Sequence, residues 1–290
     1  MSAGPAPLHA SLEDAACSVL ETADADAKAA CALAVASAWE AGTLAPARAP
    51  GPVPVRPARP LRPRLVSPTS VPRRARGRKG RIALLHAVAH IELNAIDLAW
   101  DMIARFSGPA MPDAFYADWV RVGAEEARHF RLVAGRLAAY DAVYGDLDAH
   151  DGLWDAAAQT ADDLLARLAI VPLVLEARGL DVTPQMIARM EREGDAGSAE
   201  ALGVIYCEEV GHVATGLRWF RAEAEARGLD PVHAFHEIVE TGFRGRLKPP
   251  FNREARSSAG MPPDFYAWAE AMEAAENFRD GRNSPPLRSS

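Results

Sequence analysis

Apolar residues return every three or four positions through four long stretches of the chain, the spacing that places them on one side of a helix. The first side reads Leu85, Val88, Ala89, Glu92, Ala95, Ile96, Ala99, Met102, Ile103, Phe106. The second reads Phe115, Trp119, Val122, Glu126, His129, Phe130, Val133, Leu137. The third is Leu165, Leu168, Ala169, Pro172, Leu173, Glu176, and the fourth Leu202, Ile205, Tyr206, Glu209, His212, Val213, Gly216, Phe220. These stripes predict helices over about 81–106, 113–141, 154–178 and 196–226. Each stripe is interrupted by a carboxylate, and two of them by Glu-x-x-His.

Local chemistry supplies the boundaries. Ser107-Gly-Pro-Ala-Met-Pro112 ends the first helix and starts the second. Tyr144 to Gly152 is a connection, and a long crossover would also absorb part of 153–162. Pro172 removes a backbone hydrogen bond one turn before Glu176 and predicts a kink or bulge there. Gly179 to Pro184 reads as a break, with Thr183 capping a short helix over about 184–193. A further helix is expected over 231–242, and an irregular segment ending in disorder beyond it. Near the N-terminus, 11–42 predicts one or two short helices, with Ser11 and Asp14 as a capping pair. Nine prolines between Pro46 and Pro72 require an extended arm. The expected organisation is all-α: an N-terminal helical segment (1–45), a Pro/Arg-rich arm (46–80), a four-helix bundle (81–228) and a C-terminal extension (229–290).

The loop position tests the pairing of the first two helices. Glu92 lies 15 residues before the turn at Ser107 and Glu126 lies 14 after its last proline, Pro112. At about 1.5 Å per residue both sit roughly 20 Å from the turn, so they face each other in an antiparallel hairpin. Glu176 and Glu209 are 33 residues apart, against 34 for Glu92 and Glu126, which gives the two halves the look of a repeated hairpin.

Four carboxylates pointing into one apolar interior demand cations, because a buried, unpaired carboxylate costs several kcal/mol or stays protonated. Two divalent metals would match the four charges. The i, i+3 spacing lets one helical turn offer a Glu oxygen and a His nitrogen to the same ion. Glu92, Glu126, His129, Glu176, Glu209 and His212 are therefore the candidate ligands. Such an oxygen-rich set, with one imidazole per metal, suits iron or manganese better than zinc or copper. Glu125 and Glu208 each precede a ligand Glu and are placed to accept an imidazole N–H, with ordinary surface charge as the alternative. Arg128 precedes His129. Tyr206 lies one turn before Glu209 and is either a partner of a ligand or a core residue. Cys207 sits two residues before Glu209, about 200° away round the helix, and is not counted as a ligand. His233 and His236 have no Glu at metal spacing and read as surface residues.

Charge is unevenly distributed. The net charge is −7, yet no Asp or Glu occurs from Ala41 to Ile91, and 47–81 holds ten Arg and one Lys. The remainder therefore carries −18. An anionic partner such as RNA is one reading; a basic arm lying over its own acidic helices is the other, and the prolines favour it. No aromatic residues are interleaved to stack bases. Three cysteines without pairing or metal spacing fit a reducing cytoplasm. No uninterrupted apolar run approaches a membrane span, and the N-terminus does not read as a secretion signal.

The strings Leu85-His-Ala-Val-Ala-His-Ile-Glu-Leu-Asn-Ala-Ile-Asp97, Leu175-Glu-Ala-Arg-Gly-Leu-Asp-Val-Thr-Pro184 and Glu208-Glu-Val-Gly-His-Val213 resemble the bacterial family called domain of unknown function 455, within the ferritin-like superfamily. The likeness extends over most of the chain, including the arm and Pro250-Phe-Asn252. It implies a four-helix bundle binding two iron ions through the six residues above, in the order Glu, Glu-x-x-His, Glu, Glu-x-x-His. Distant relatives with this ligand order include a tRNA hydroxylase. The resemblance thus implies an oxygen-activating oxidase or hydroxylase acting on a small molecule or modified base. An iron-binding ferroxidase, or a structural metal-binding bundle without turnover, is the alternative. No nucleotide-binding loop is visible, so electrons would come from an external donor.

Overall fold

The computed structural model describes residues 10–49, 52–70 and 77–279. All regular structure among them is helical; an isolated bridge between Leu65 and Ala149 is the one extended pairing. Two N-terminal helices, α1 (Leu12–Glu21) and α2 (Ala25–Glu40), precede the arm. The long α3 (Gly77–Arg105) and α4 (Asp113–Ala138) form an antiparallel hairpin across the Ser107–Pro112 turn. A crossover containing α5 (Gly152–Ala158) leads to α6 (Leu164–Ile170), a π-turn (Val171–Glu176) and α7 (Ala177–Arg192). α8 (Ala196–Ala226) packs against α4, α6 and α7. α9 (Pro231–Gly242), α10 (Arg253–Ser258) and α11 (Ala267–Arg279) follow.

Local chemistry accounts for the ends. Ser11 caps α1 through the Asp14 N–H, Asp24 caps α2, and Asp195 caps α8 through the Ser198 N–H. Pro172 widens the helix: the Ala177 N–H reaches back five residues to the Pro172 carbonyl, the spacing of a π-turn. Its ring presses against Gly216 of α8, where an added Cβ would lie 2.3 Å from Pro172 Cβ. Only glycine permits that approach, and it holds the widened turn against α8.

Three expectations are corrected. Gly179 to Pro184 does not break the helix; α7 runs through it, with Pro184 inside. Proline leaves the carbonyl four residues back without its usual donor. That carbonyl, Leu180, accepts instead from Asn252 Nδ2 at 3.1 Å, so the C-terminal extension repairs the helix. The segment beyond 242 is not irregular throughout, since α10 and α11 lie in it. The expected disorder of the last residues falls on 280–290, outside the described residues. The first long helix also begins earlier than its apolar stripe, at Gly77.

The arm lies on its own chain. Arg48 pairs with Asp113, Arg56 with Asp151 and Asp155, Arg64 with Asp148, Arg78 with Asp141, and Arg81 with Glu193. Its deepest anchor is Arg59, which meets Asp97 and Asn94 on α3. Asp97 is fully buried and is shared with Lys28 of α2, itself buried. The Lys28 ammonium also satisfies the Val19 and Leu20 carbonyls at the end of α1. One turn further on, buried Asp101 is bracketed by Arg105 and the buried Arg167 of α6. α3 is long and apolar enough to cross a membrane, but 78% of its apolar window is buried against the other helices.

Truncating one partner of such a buried network strands the others. Asp97→Ala should lower unfolding free energy by about 3–5 kcal/mol, because it leaves two cations uncompensated. Asp113→Ala, at an exposed pair, should change it by less than about 1 kcal/mol. Urea denaturation of both variants measures the contrast; equal effects would contradict it.

Candidate metal centre

Glu92 comes from α3, Glu126 and His129 from α4, Glu176 from the end of the π-turn, and Glu209 and His212 from α8. Ligand-capable atoms of Glu92, Glu126, His129 and Glu209 all lie within 4.8 Å of one another. His129 Nδ1 is 3.3 Å from Glu92 Oε2 and 3.3 Å from Glu126 Oε2, which puts the two glutamates of the α3–α4 hairpin opposite each other. His212 Nδ1 is 2.9 Å from Glu126 Oε1 and 3.7 Å from Glu209 Oε2. Glu176 stands slightly apart. It shares a cavity wall with Glu92 and Glu209, and it feels the charges of Glu209, Glu126 and Glu92.

The two imidazoles are braced crosswise. His129 Nε2–H donates to Glu208 at 2.8 Å, and His212 Nε2–H donates to Glu125 at 2.8 Å. Each acceptor immediately precedes the glutamate of the other Glu-x-x-His pair, so α4 orients the imidazole of α8 and α8 that of α4. This fixes both rings with Nδ1 toward the carboxylates. Arg121 in turn holds Glu125 at 2.7 Å, and Arg128 stands 3.7 Å from it. Tyr206 is not turned to the centre: its hydroxyl accepts from Asn252. Cys207 is exposed and free, and His236 Nε2 bonds the Asp264 carbonyl.

Buried Glu92 Oε2, Glu126 Oε1, Glu176 Oε2, Glu209 Oε2 and His212 Nδ1 make no hydrogen bond of proper geometry among the described residues, although Glu92 Oε2 lies 3.3 Å from His129 Nδ1 and Glu126 Oε1 lies 2.9 Å from His212 Nδ1. Orphaned buried acceptors in this number are exceptional. Burial, reinforced by Glu126, pushes the Glu92 carboxyl up to about 8. Burial and the Glu209 charge hold Glu176 well above the usual range, and burial and the Glu126 charge raise Glu209. For Glu126 burial is outweighed by the two imidazoles, His212 foremost, and its carboxyl falls below the usual range. For His129 burial is outweighed by Glu126 and Glu92, and the ring rises to about 11; His212 rises likewise. The raised carboxyls and imidazoles hold protons that a bound cation would displace. The orphaned oxygens and the hard donor set fit divalent metal ions.

Residues outside the candidate set lie along a second stripe of α3: His86, His90, Asn94, Asp97 and Asp101, all buried. Their i, i+4 and i, i+3 spacing was the available signal. His86 Nε2 accepts from the Gly145 N–H at 2.9 Å, and from the Leu147 N–H at 3.4 Å. His90 takes the Tyr144 hydroxyl at 2.8 Å and donates to the His150 carbonyl at 3.0 Å. The stripe thereby anchors the α4–α5 crossover beside the centre.

An all-α chain that brings inward carboxylates from two similar hairpins onto two crosswise-braced imidazoles defines a helical protein with a buried acidic centre. The chain belongs to the family described as "Protein of unknown function (DUF455)", whose model matches residues 21–267. It is 40% identical over 220 residues to a Haemophilus influenzae protein named "Uncharacterized protein", covering 74% of this chain and 76% of that one. No solved structure matches it.

Metal must displace those protons. Loading with Mn(II) or anaerobic Fe(II) at about pH 7 should release protons, and affinity should rise steadily from about pH 6 to 8. A pH indicator in weakly buffered titrations measures the release. Binding without proton release, or affinity flat with pH, would contradict the reading.

Proposed function

We propose that this chain is a ferritin-like di-iron carboxylate protein, with its four long helical segments as the bundle, that activates oxygen to oxidise or hydroxylate a small molecule. Glu92, Glu126, His129, Glu176, Glu209 and His212 would hold the two irons; manganese is the other metal the donor set suits. When bound, such a pair of irons supplies the reduction of dioxygen. The chain supplies the rest. The Glu208 and Glu125 carboxylates keep each imidazole's Nε2 protonated and its Nδ1 turned inward. Arg121 and Arg128 lie beside Glu125, whose carboxyl falls below the usual range: burial opposes this, and His212 and then the two arginines outweigh it. Leu85, Ile96, Phe130 and Val213, on the same helices as the candidate ligands, are buried.

The observation that carries turnover over storage is a cavity of about 720 Å³ whose wall includes Glu92, Glu176 and Glu209. It is of the size that holds a small organic ligand. A small-molecule substrate is favoured over tRNA, because Arg48, Arg56, Arg59, Arg64, Arg78 and Arg81 already pair within the chain. An external electron donor and a cytoplasmic setting, in keeping with three free thiols, complete the reading.

Anaerobic Fe(II) loading followed by oxygen is the test. Oxygen should be consumed with a transient optical band, and Glu126→Ala should abolish both. Metal uptake with no oxygen consumption would leave a structural or storage site. Unchanged behaviour in Glu126→Ala would refute the assignment.

A further inference from the structure

The cavity has two ends of different chemistry. One holds the carboxylates. The other holds His86, which is 2% exposed and also lines the cavity. The crossover backbone decides this ring's tautomer. Nε2 accepts from two N–H groups, Gly145 and Leu147, so in the neutral ring the proton sits on Nδ1. Burial lowers the pKa of His86, which keeps the ring neutral. Nδ1–H has no acceptor among the described residues, although the remainder of the buried α3 stripe is paired. A ring N–H on a cavity wall from which no group of the described residues accepts is a site for an outside acceptor. His86 precedes Glu92 by six residues on α3, about 9 Å along the helix axis. Between and around them the wall is mainly apolar, with Val88, Ala95, Leu98, Leu175, Leu202 and Ile205, and it also includes His90, Asp148, His150 and Thr183.

We propose that this cavity binds a largely apolar, uncharged molecule carrying one oxygen acceptor, a carbonyl or ether, which His86 Nδ1–H recognises while the apolar part extends toward Glu92 and Glu176. Its oxidation there rests on the reading above; its binding does not. An uncharged acceptor is favoured because the donor is a neutral ring in an apolar setting. The cavity's one arginine, Arg178, is committed to the Lys248 carbonyl at 2.7 Å and stands 3.5 Å from Asp181.

Butyrophenone and butylbenzene are suitable probes, being alike except for the carbonyl. Titration calorimetry on the full chain should show both binding, with His86→Phe weakening the ketone about tenfold and leaving the hydrocarbon unchanged. Val182→Trp, which fills the cavity from α7, should abolish binding of both. In the unaltered protein the ketone, but not the hydrocarbon, should shift the His86 Nδ1–H resonance; this decides the matter if His86→Phe does not fold. No binding of either probe, equal weakening of both, or an unmoved resonance would overturn the proposal. Metal content measured on the same samples separates the two readings. Probe binding without stoichiometric metal sinks the di-iron centre alone, and metal without probe binding sinks this site alone.

Discussion

Buried negative charge that must be balanced is the constraint on which this structure rests. α3 carries it on two faces, and the chain answers differently on each. On one face Asp97 and Asp101 receive cations from the chain itself: Lys28, Arg59, Arg105 and Arg167. These contacts gather α2, the arm and α6 around α3. On the other face Glu92 meets Glu126, Glu176 and Glu209, and no lysine or arginine among the described residues pairs with any of them. Two imidazoles are the only basic groups in contact there. A fold that places buried arginine and lysine on one acidic face and none on the other leaves the second able to hold an outside cation.

The supporting structure gains its meaning from that gap. Crosswise bracing makes each Glu-x-x-His pair depend on the other hairpin, so the centre is assembled only when both have docked. The π-turn at Pro172, seated in the notch of Gly216, ends at Glu176 and sets that carboxylate on the cavity wall. Asn252 joins the C-terminal extension to the same region. It bonds the Leu180 carbonyl, Tyr206 and Asp181, tying α7 to α8 beneath the site.

Much of this could be read from the sequence, for identifiable reasons. The long helices and the inward glutamates followed from period and loop position, which depend on local geometry alone. The pairing of Glu92 with Glu126 was an arithmetic consequence of where Ser107–Pro112 fell. The arm's fate was legible as charge complementarity, though not which aspartate took which arginine. Pro184 misled because a proline signal is local, while the Asn252 side chain that compensates it arrives from 68 residues away. Tyr206 lay on the expected face but its hydroxyl went to the same Asn252. The roles of His86 and His90 were hidden because their partners, the Gly145 and Leu147 N–H groups, the His150 carbonyl and the Tyr144 hydroxyl, all lie on the crossover, more than fifty residues away in the chain.

The most direct measurement is anomalous diffraction from crystals of the protein loaded with Mn(II) or Fe(II), with data on both sides of the metal edge. The account predicts two peaks among Glu92, Glu126, His129, Glu176, Glu209 and His212, with Glu126 between them. A single peak, no peak, or peaks away from these six side chains would contradict the claim that divalent metals balance the buried carboxylates.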